Sequence, residues 1–224
     1  KALEYQLMKL NVVTIDGPSA SGKGSLARNL AEYLDFSILD SGLLYRVYAY
    51  FNNLNLGTEE IPLLIQKDIS FKFNHKDVIV LNDQEDITSE LRSEKMAKKA
   101  SELSSLPTTR ENLLSIQRNF YKNKGLVADG SDMGTVVFPE AKLKIFLTAS
   151  AEIRAERRYL ELQNRGQEVN MHDLIEDIKQ TDLKDSTRTL SPLIPAEDSV
   201  IIDSSEMSIE EVLSFTKKLT KGIE

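Results

Sequence analysis

The chain has 224 residues, a net charge of −7, 41% hydrophobic and 28% charged residues, and no cysteine. That length suits one well-cored α/β domain with room for an insertion, and the missing thiols exclude a disulfide framework, thiol catalysis and a Cys-zinc site. The negative balance argues against broad binding to nucleic acid or anionic membranes, so any anion site has to be local.

The opening KALEYQLMKLN has no apolar core of signal-peptide length, and no stretch approaches a membrane span. Residues before about Leu10 are given no functional weight, and a cytoplasmic location is expected. A β-branched strand follows over 12–15, then a glycine-rich turn, then a helix over 22–34 with Leu26, Ala27, Leu30 and Leu34 on one face. Gly17, Gly22, Lys23 and Ser25 nearly fit the phosphate-loop pattern G-x-x-x-x-G-K-[ST], with Gly24 inserted before the hydroxyl residue. Such a loop curls its backbone N–H groups around phosphate oxygens, with the positive end of the helix behind them. The loop residues Gly17, Pro18, Ser19, Ala20, Ser21, Gly22, Lys23, Gly24 and Ser25 are therefore expected to hold a nucleoside triphosphate. Lys23 is expected to reach the β- and γ-phosphates, and Ser25, with Asp16 through water, to serve Mg²⁺.

A second buried strand is expected over 36–39, ending in Asp40, Ser41 and Gly42 before a helix that starts LLYRVYAYF. The cluster Tyr45, Tyr48, Tyr50 and Phe51 reads as helix packing. From 57 to 107 the pattern changes to two or three short strands joined by polar turns, with a helix over 89–103, which reads as an inserted lobe within one domain spanning 10–224. A helix over 110–121 and a strand ending at Asp129 follow, then SDMGTVVFPEA as a loop and a strand over 143–148. Ser150 is a candidate cap for the next helix, which carries Arg154, Arg157 and Arg158 and runs to Gly166. An amphipathic stretch over 171–185, a strand over 200–203 and a helix over 208–219 complete an alternation that predicts a parallel sheet covered on both faces. His75 and His172 lack a second histidine at ligand spacing and are expected at the surface. Asp129, at a strand end, reads as a second candidate for a water-mediated metal role.

The segments IDGPSASGKGS, LDSGLLYR, ADGSDMGTVVFP, RAERRYLEL and TRTLSPLIPAEDSVIIDSS, in that order over 15–205, resemble the bacterial cytidylate kinases. The inserted Gly24 agrees, because nucleoside-monophosphate kinases read GKG[ST]. The resemblance implies a three-layer P-loop fold with a five-stranded parallel sheet, a small inserted β/α lobe for the monophosphate and a helical lid near 154–188. It implies transfer of the γ-phosphoryl group of ATP, with Mg²⁺, to CMP or dCMP by a monomer. By matching position it places Ser41 and Arg46 at the acceptor phosphate, Ser101, Arg110 and Asp132 at cytosine, and Asp185 and Arg188 at ribose and base. Lys23, Arg154, Arg157 and Arg158 are the candidates for charge stabilisation, although helix arginines also serve as a solvated face paired with glutamates. A kinase for UMP or another monophosphate, or a catalytically weakened nucleotide-binding relative, are the rival readings.

Three positions depart from the family pattern: Ser131, Thr181 and Lys184 stand where arginines are expected. Neither a hydroxyl nor an ammonium reproduces the planar fork of a guanidinium. Weaker acceptor binding is expected, with Arg46, Arg188 and Lys184 sharing the work.

Overall fold

The computed structural model describes residues 10–74, 77–122, 124–164 and 166–223; His75 and the opening stretch lie outside them. In chain order the elements begin β1 (Leu10–Asp16), α1 (Lys23–Leu34), β2 (Ser37–Asp40) and α2 (Ser41–Asn53). The inserted region contains α3 (Glu60–Asp68), β3 (Ile69–Phe73), β4 (Val78–Asn82), β5 (Glu85–Asp86), α4 (Thr88–Leu91) and α5 (Glu94–Leu103). The chain then runs through α6 (Pro107–Arg118), β6 (Leu126–Gly130), a π-helical turn (Met133–Val137), β7 (Ala141–Thr148), α7 (Ala151–Asn164), α8 (Met171–Thr187), β8 (Val200–Asp203) and α9 (Ile209–Leu219).

Five strands form one parallel sheet in the order β2-β6-β1-β7-β8. Their residues are apolar in both directions because both faces are covered. In β1, Val12 packs into one core while Val13 and Ile15 pack into the other; in β6, Leu126 and Ala128 face the first core and Val127 the second. Helices α1 and α9 cover the second face, and α2, α6 and the inserted region share the first. The expected three-layer α/β fold is present.

The inserted region carries its own antiparallel sheet, β3-β4-β5. Its Val78, Val80, Ile87 and Leu91 belong to the same buried cluster as Leu44 and Tyr48 of α2, so it has no separate core. Three local expectations are corrected. The helix expected over 89–103 is two helices, broken at Arg92 and Ser93, because the Ser93 hydroxyl accepts from Met96 N at 3.2 Å and caps α5 afresh. The region also contains α3, which the sequence reading left unassigned. The stretch read as a loop after Gly130 contains the π-helical turn, whose Val136 and Val137 carbonyls accept from Arg118. Ser150 caps α7 as expected, accepting from Ile153 N at 3.3 Å.

All five parallel strands point their carboxyl ends at one edge, where open α/β sheets place ligands. Gly17 sets the first turn there with φ +148°, and a Cβ on it would lie 2.0 Å from the Leu147 carbonyl oxygen. Gly17→Ala is therefore expected to lower unfolding free energy by at least about 2 kcal/mol and to abolish triphosphate binding. Denaturant unfolding and calorimetry check both; a variant of unchanged stability removes the steric argument.

Candidate functional site

The turn after β1 is built to expose donors. Gly17 and Gly22 adopt positive φ, and Ala20 does so despite its Cβ, at φ 59°. Lys23 opens α1, and its Nζ donates to the Pro18 carbonyl at 2.7 Å, folded over the turn it belongs to. Two arginines of α7 hold the outer side of the turn. Arg154 is buried and donates to Ser19 O at 3.3 Å and to Ala149 O at 2.9 Å, while its guanidinium also pairs with Asp182 of α8. Arg157 donates to Ser21 O at 3.0 Å and to Ser204 O at 2.8 Å. With two loop carbonyls turned outward to guanidinium groups, the intervening amides are free to face inward. Arg158 differs: it pairs with Glu94 of α5 and with Glu161 at 3.0 Å, and lines both neighbouring cavities.

One cavity, of about 360 Å³, runs from Ala20, Gly22 and Ser25 to an apolar wall of Leu26, Leu147, Met207 and Val212. A polar entrance at the turn and an apolar far wall suit a phosphate chain carrying a flat base. The other cavity, of about 130 Å³, is lined by Asp40, Arg46, Arg92, Arg158 and Glu161. Arg46 Nη1 donates to Leu91 O at 3.0 Å, and burial and the neighbouring arginines lower its pKa while Asp40 and Glu94 raise it.

The acceptor residues read from the sequence gather in part. Asp132 and Arg110 form a buried pair at 2.7 Å, and the Arg110 guanidinium lies 5.7 Å over the Tyr45 ring. Arg188 is held by Asp185 at 3.2 Å, by Ser191 O at 2.7 Å and by the Ser131 hydroxyl at 2.9 Å. Ser131, expected only as a lost arginine, thus supports Arg188. Ser41 is buried, its hydroxyl accepting from Gln117 Nε2 at 2.9 Å. Ser101 is exposed; its carbonyl accepts from Ser104 Oγ at 2.9 Å, and Arg110 Nε reaches Ser104 O at 2.6 Å. Thr181 turns its hydroxyl back to Asp177 O at 2.8 Å on α8, away from any guanidinium's task. Gln117, Asp182, Ser204 and Arg92 were not singled out from the sequence, and no local pattern marks them, because their partners lie in distant segments: Ser41, Arg154, Arg157 and Asp77.

Asp16 accepts from Met133 N at 2.8 Å and from Gly134 N at 2.7 Å, so each carboxylate oxygen has an amide partner. Burial pushes its pKa up to about 7 against the pull of those amides. Asp129 is raised by the same burial, with Lys23 opposing and Asp40 and Asp16 adding to it. Among the described residues no cluster of three or more acidic or histidine side chains could hold a metal alone. Ser25 Oγ, at the first turn of α1, accepts from Arg28 Nη2 at 3.3 Å. A hydroxyl beside a glycine-rich turn, without a protein cage, is a donor set that would suit Mg²⁺ completed by a ligand's oxygens and water. No helix among the described residues is long and apolar enough to cross a membrane.

Residues 13–221 match the family model described as cytidylate kinase. A protein named cytidylate kinase from Stutzerimonas stutzeri (strain A1501) is 48% identical over 210 residues, covering 90% of this chain and 91% of its own. One of the same name from Aeromonas hydrophila subsp. hydrophila is 47% identical over 207 residues, 90% of each chain. One from Enterobacter sp. (strain 638) is 45% identical over 207 residues, covering 90% and 91%.

The Asp16 carboxyl gives a signed pH dependence. Its folded pKa of about 7 lies above the ordinary 3.8, so between those values the folded state holds more protons than the unfolded state. This group's contribution to stability is present at low pH and is lost as pH rises toward 7. Asp16→Asn, which cannot ionise, is expected to show a flatter decline over that window in chelator-treated protein, measured by urea unfolding at several pH values; parallel profiles for the two proteins would refute it.

Proposed function

The chain belongs to the cytidylate kinase family, and we propose on that premise that it transfers the γ-phosphoryl group of ATP to CMP and dCMP. The observation that carries the choice of acceptor is the buried Arg110–Asp132 pair. A carboxylate accepts from the exocyclic amine of cytosine and repels the carbonyl that uracil has at that position. Arg110 completes the pair by donating to the base while Asp132 keeps it charged and oriented. Asp185 and Arg188 then meet the sugar and base, and Ser41 and Arg46 the phosphate end, with Ser101 at the open side of the pocket.

The attacking group is already an anionic phosphate oxygen, so no general base is needed, and positioning with charge stabilisation supplies most of the rate. The turn from Gly17 to Ser25 receives the triphosphate. Lys23 exchanges the Pro18 carbonyl for phosphate oxygens, and Arg158, facing both cavities, stands nearest the path between donor and acceptor. Arg154 and Arg157 act by bracing the turn and by their field, since loop carbonyls already occupy their guanidinium groups. Ser25, with Asp16 and Asp129 behind water, would hold Mg²⁺, which when bound would supply charge neutralisation at the phosphates. Residues 57–107 form the lobe that takes the monophosphate and 154–188 the lid, whose closure excludes water. The working unit is a monomer in the cytoplasm.

A coupled assay of ADP release across CMP, dCMP, UMP and AMP tests this reading. CMP and dCMP are expected to be turned over with kcat/KM at least about 100-fold above UMP and AMP; a preference for UMP overturns it. Lys23→Ala is expected to lower kcat by about 100-fold or more with the fold intact by circular dichroism. At position 131, Ser131→Ala releases Arg188 and is expected to raise KM for CMP about 2- to 5-fold, whereas Ser131→Arg adds a phosphate-binding fork and is expected to lower it several-fold. An unchanged KM in both variants would remove Ser131 from acceptor binding.

A further inference from the structure

The break between α4 and α5 places Arg92 in the smaller cavity. An unbroken helix over 89–103 would have made Arg92 one more surface arginine; the fresh cap at Ser93 leaves it at the junction. Its Nη2 pairs with Asp77, the residue just before β4 of the lobe, and its Nε is buried without a hydrogen-bond partner among the described residues. The preceding residue, Leu91, gives its carbonyl to Arg46 of α2 at 3.0 Å, which fixes the junction beside Arg46. Arg158 reaches the same space from α7. Three guanidinium groups from three separate elements thus border one space of about 130 Å³, and Arg46 feels both other arginines as lowering influences on its pKa.

Gathering like charges in a partly buried space is uphill unless an anion occupies it. Carboxylates counter part of this charge: Asp40 and Glu161 border the same space, Asp40 capping α2 by accepting from Leu43 N at 2.8 Å and Glu161 pairing with Arg158 at 3.0 Å, while Glu94 also pairs with Arg158 and Asp77 with Arg92. Arg46, by contrast, donates to a neutral carbonyl, and Arg92 keeps an unused Nε donor among the described residues. Resting on the acceptor reading above, we propose that Arg92 is a phosphate-binding residue for the nucleoside monophosphate, completing with Arg46 and Arg158 a three-arginine cradle. The unpartnered Nε supplies a donor that no protein acceptor uses, and the group's origin in the inserted region makes phosphate binding and the seating of that region one event.

The test measures CMP, cytidine and ATP binding by calorimetry, with CMP turnover, for the unmodified protein and for Arg92→Gln, Arg92→Lys and Asp77→Asn. Arg92→Gln is expected to weaken CMP about 10- to 100-fold, the loss of a charge-assisted contact, while cytidine and ATP bind as before. Arg92→Lys is expected to recover part of the loss, because charge remains without the fork. Asp77→Asn, which removes only Arg92's tether in the lobe, is expected to weaken CMP far less than Arg92→Gln. Equal losses for CMP and cytidine, or Arg92→Gln matched by Asp77→Asn, would assign Arg92 a purely structural role and overturn the proposal. Undiminished CMP binding by Arg92→Gln overturns it while leaving the kinase reading intact; an unmodified protein that binds no CMP overturns both.

Discussion

The site depends on one carboxylate at the end of the central strand. Asp16 closes β1, and its two oxygens take the amides of Met133 and Gly134. The glycine-rich turn leaves β1 immediately after it, so that turn and the loop presenting Asp132 hang from the same residue. Gly134 permits the approach: a Cβ there would lie 2.8 Å from Thr14 Oγ1 and 3.2 Å from Asp16 Oδ2. A carboxylate this buried is costly to keep charged, as its raised pKa shows, and the two amides offset part of that cost. Asp132 immediately precedes Met133 in the chain, so the two amides that Asp16 holds anchor the segment from which Asp132 pairs with Arg110.

The second constraint is how a loop is kept open for an anion. A turn that points its amides inward must send its carbonyls outward, where they need donors. Arg154 and Arg157 supply them, at Ser19 and Ser21, and each binds a further element: Asp182 of α8 for Arg154, Ser204 beyond β8 for Arg157. The arginine-bearing helix therefore braces the turn and connects it to α8. A lysine could serve neither position equally, since each guanidinium spans partners lying in different directions.

The sheet was legible because buried parallel strands are short apolar runs between helix-period segments, and all five expected strands are present in one sheet. The turn over 17–25 was legible for a different reason: its glycines answer a backbone demand that shows as spacing. What the sequence concealed is long-range hydrogen bonding. Nothing local marks Gln117 as the donor to Ser41 or Asp182 as the partner of Arg154, because each depends on packing between distant segments. The helix break at Arg92 was hidden for a subtler reason. The segment SELRSEKMAKKA keeps helical composition throughout, and a serine reads equally well inside a helix or at its cap until the tertiary contacts decide.

A chain of net charge −7 that gathers Asp16, Asp40, Asp129 and Asp132 at one edge of the sheet would repel an anion there if those carboxylates were free. They are not. Asp132 is paired with Arg110, Asp40 is spent on the α2 amides, and burial raises the pKa of Asp16 and Asp129, which reduces their negative charge near neutrality. Two of the positive groups are held by neutral partners: Lys23 donates to one carbonyl and Arg46 to another, while Arg92, though paired with Asp77, keeps an unused Nε donor among the described residues. Net charge is a property of the whole surface, whereas the field at the strand ends is set by which groups have already found partners. The charge on Asp129 is tied to this balance, because burial raises its pKa and Lys23, which donates to the Pro18 carbonyl, is the largest influence lowering it.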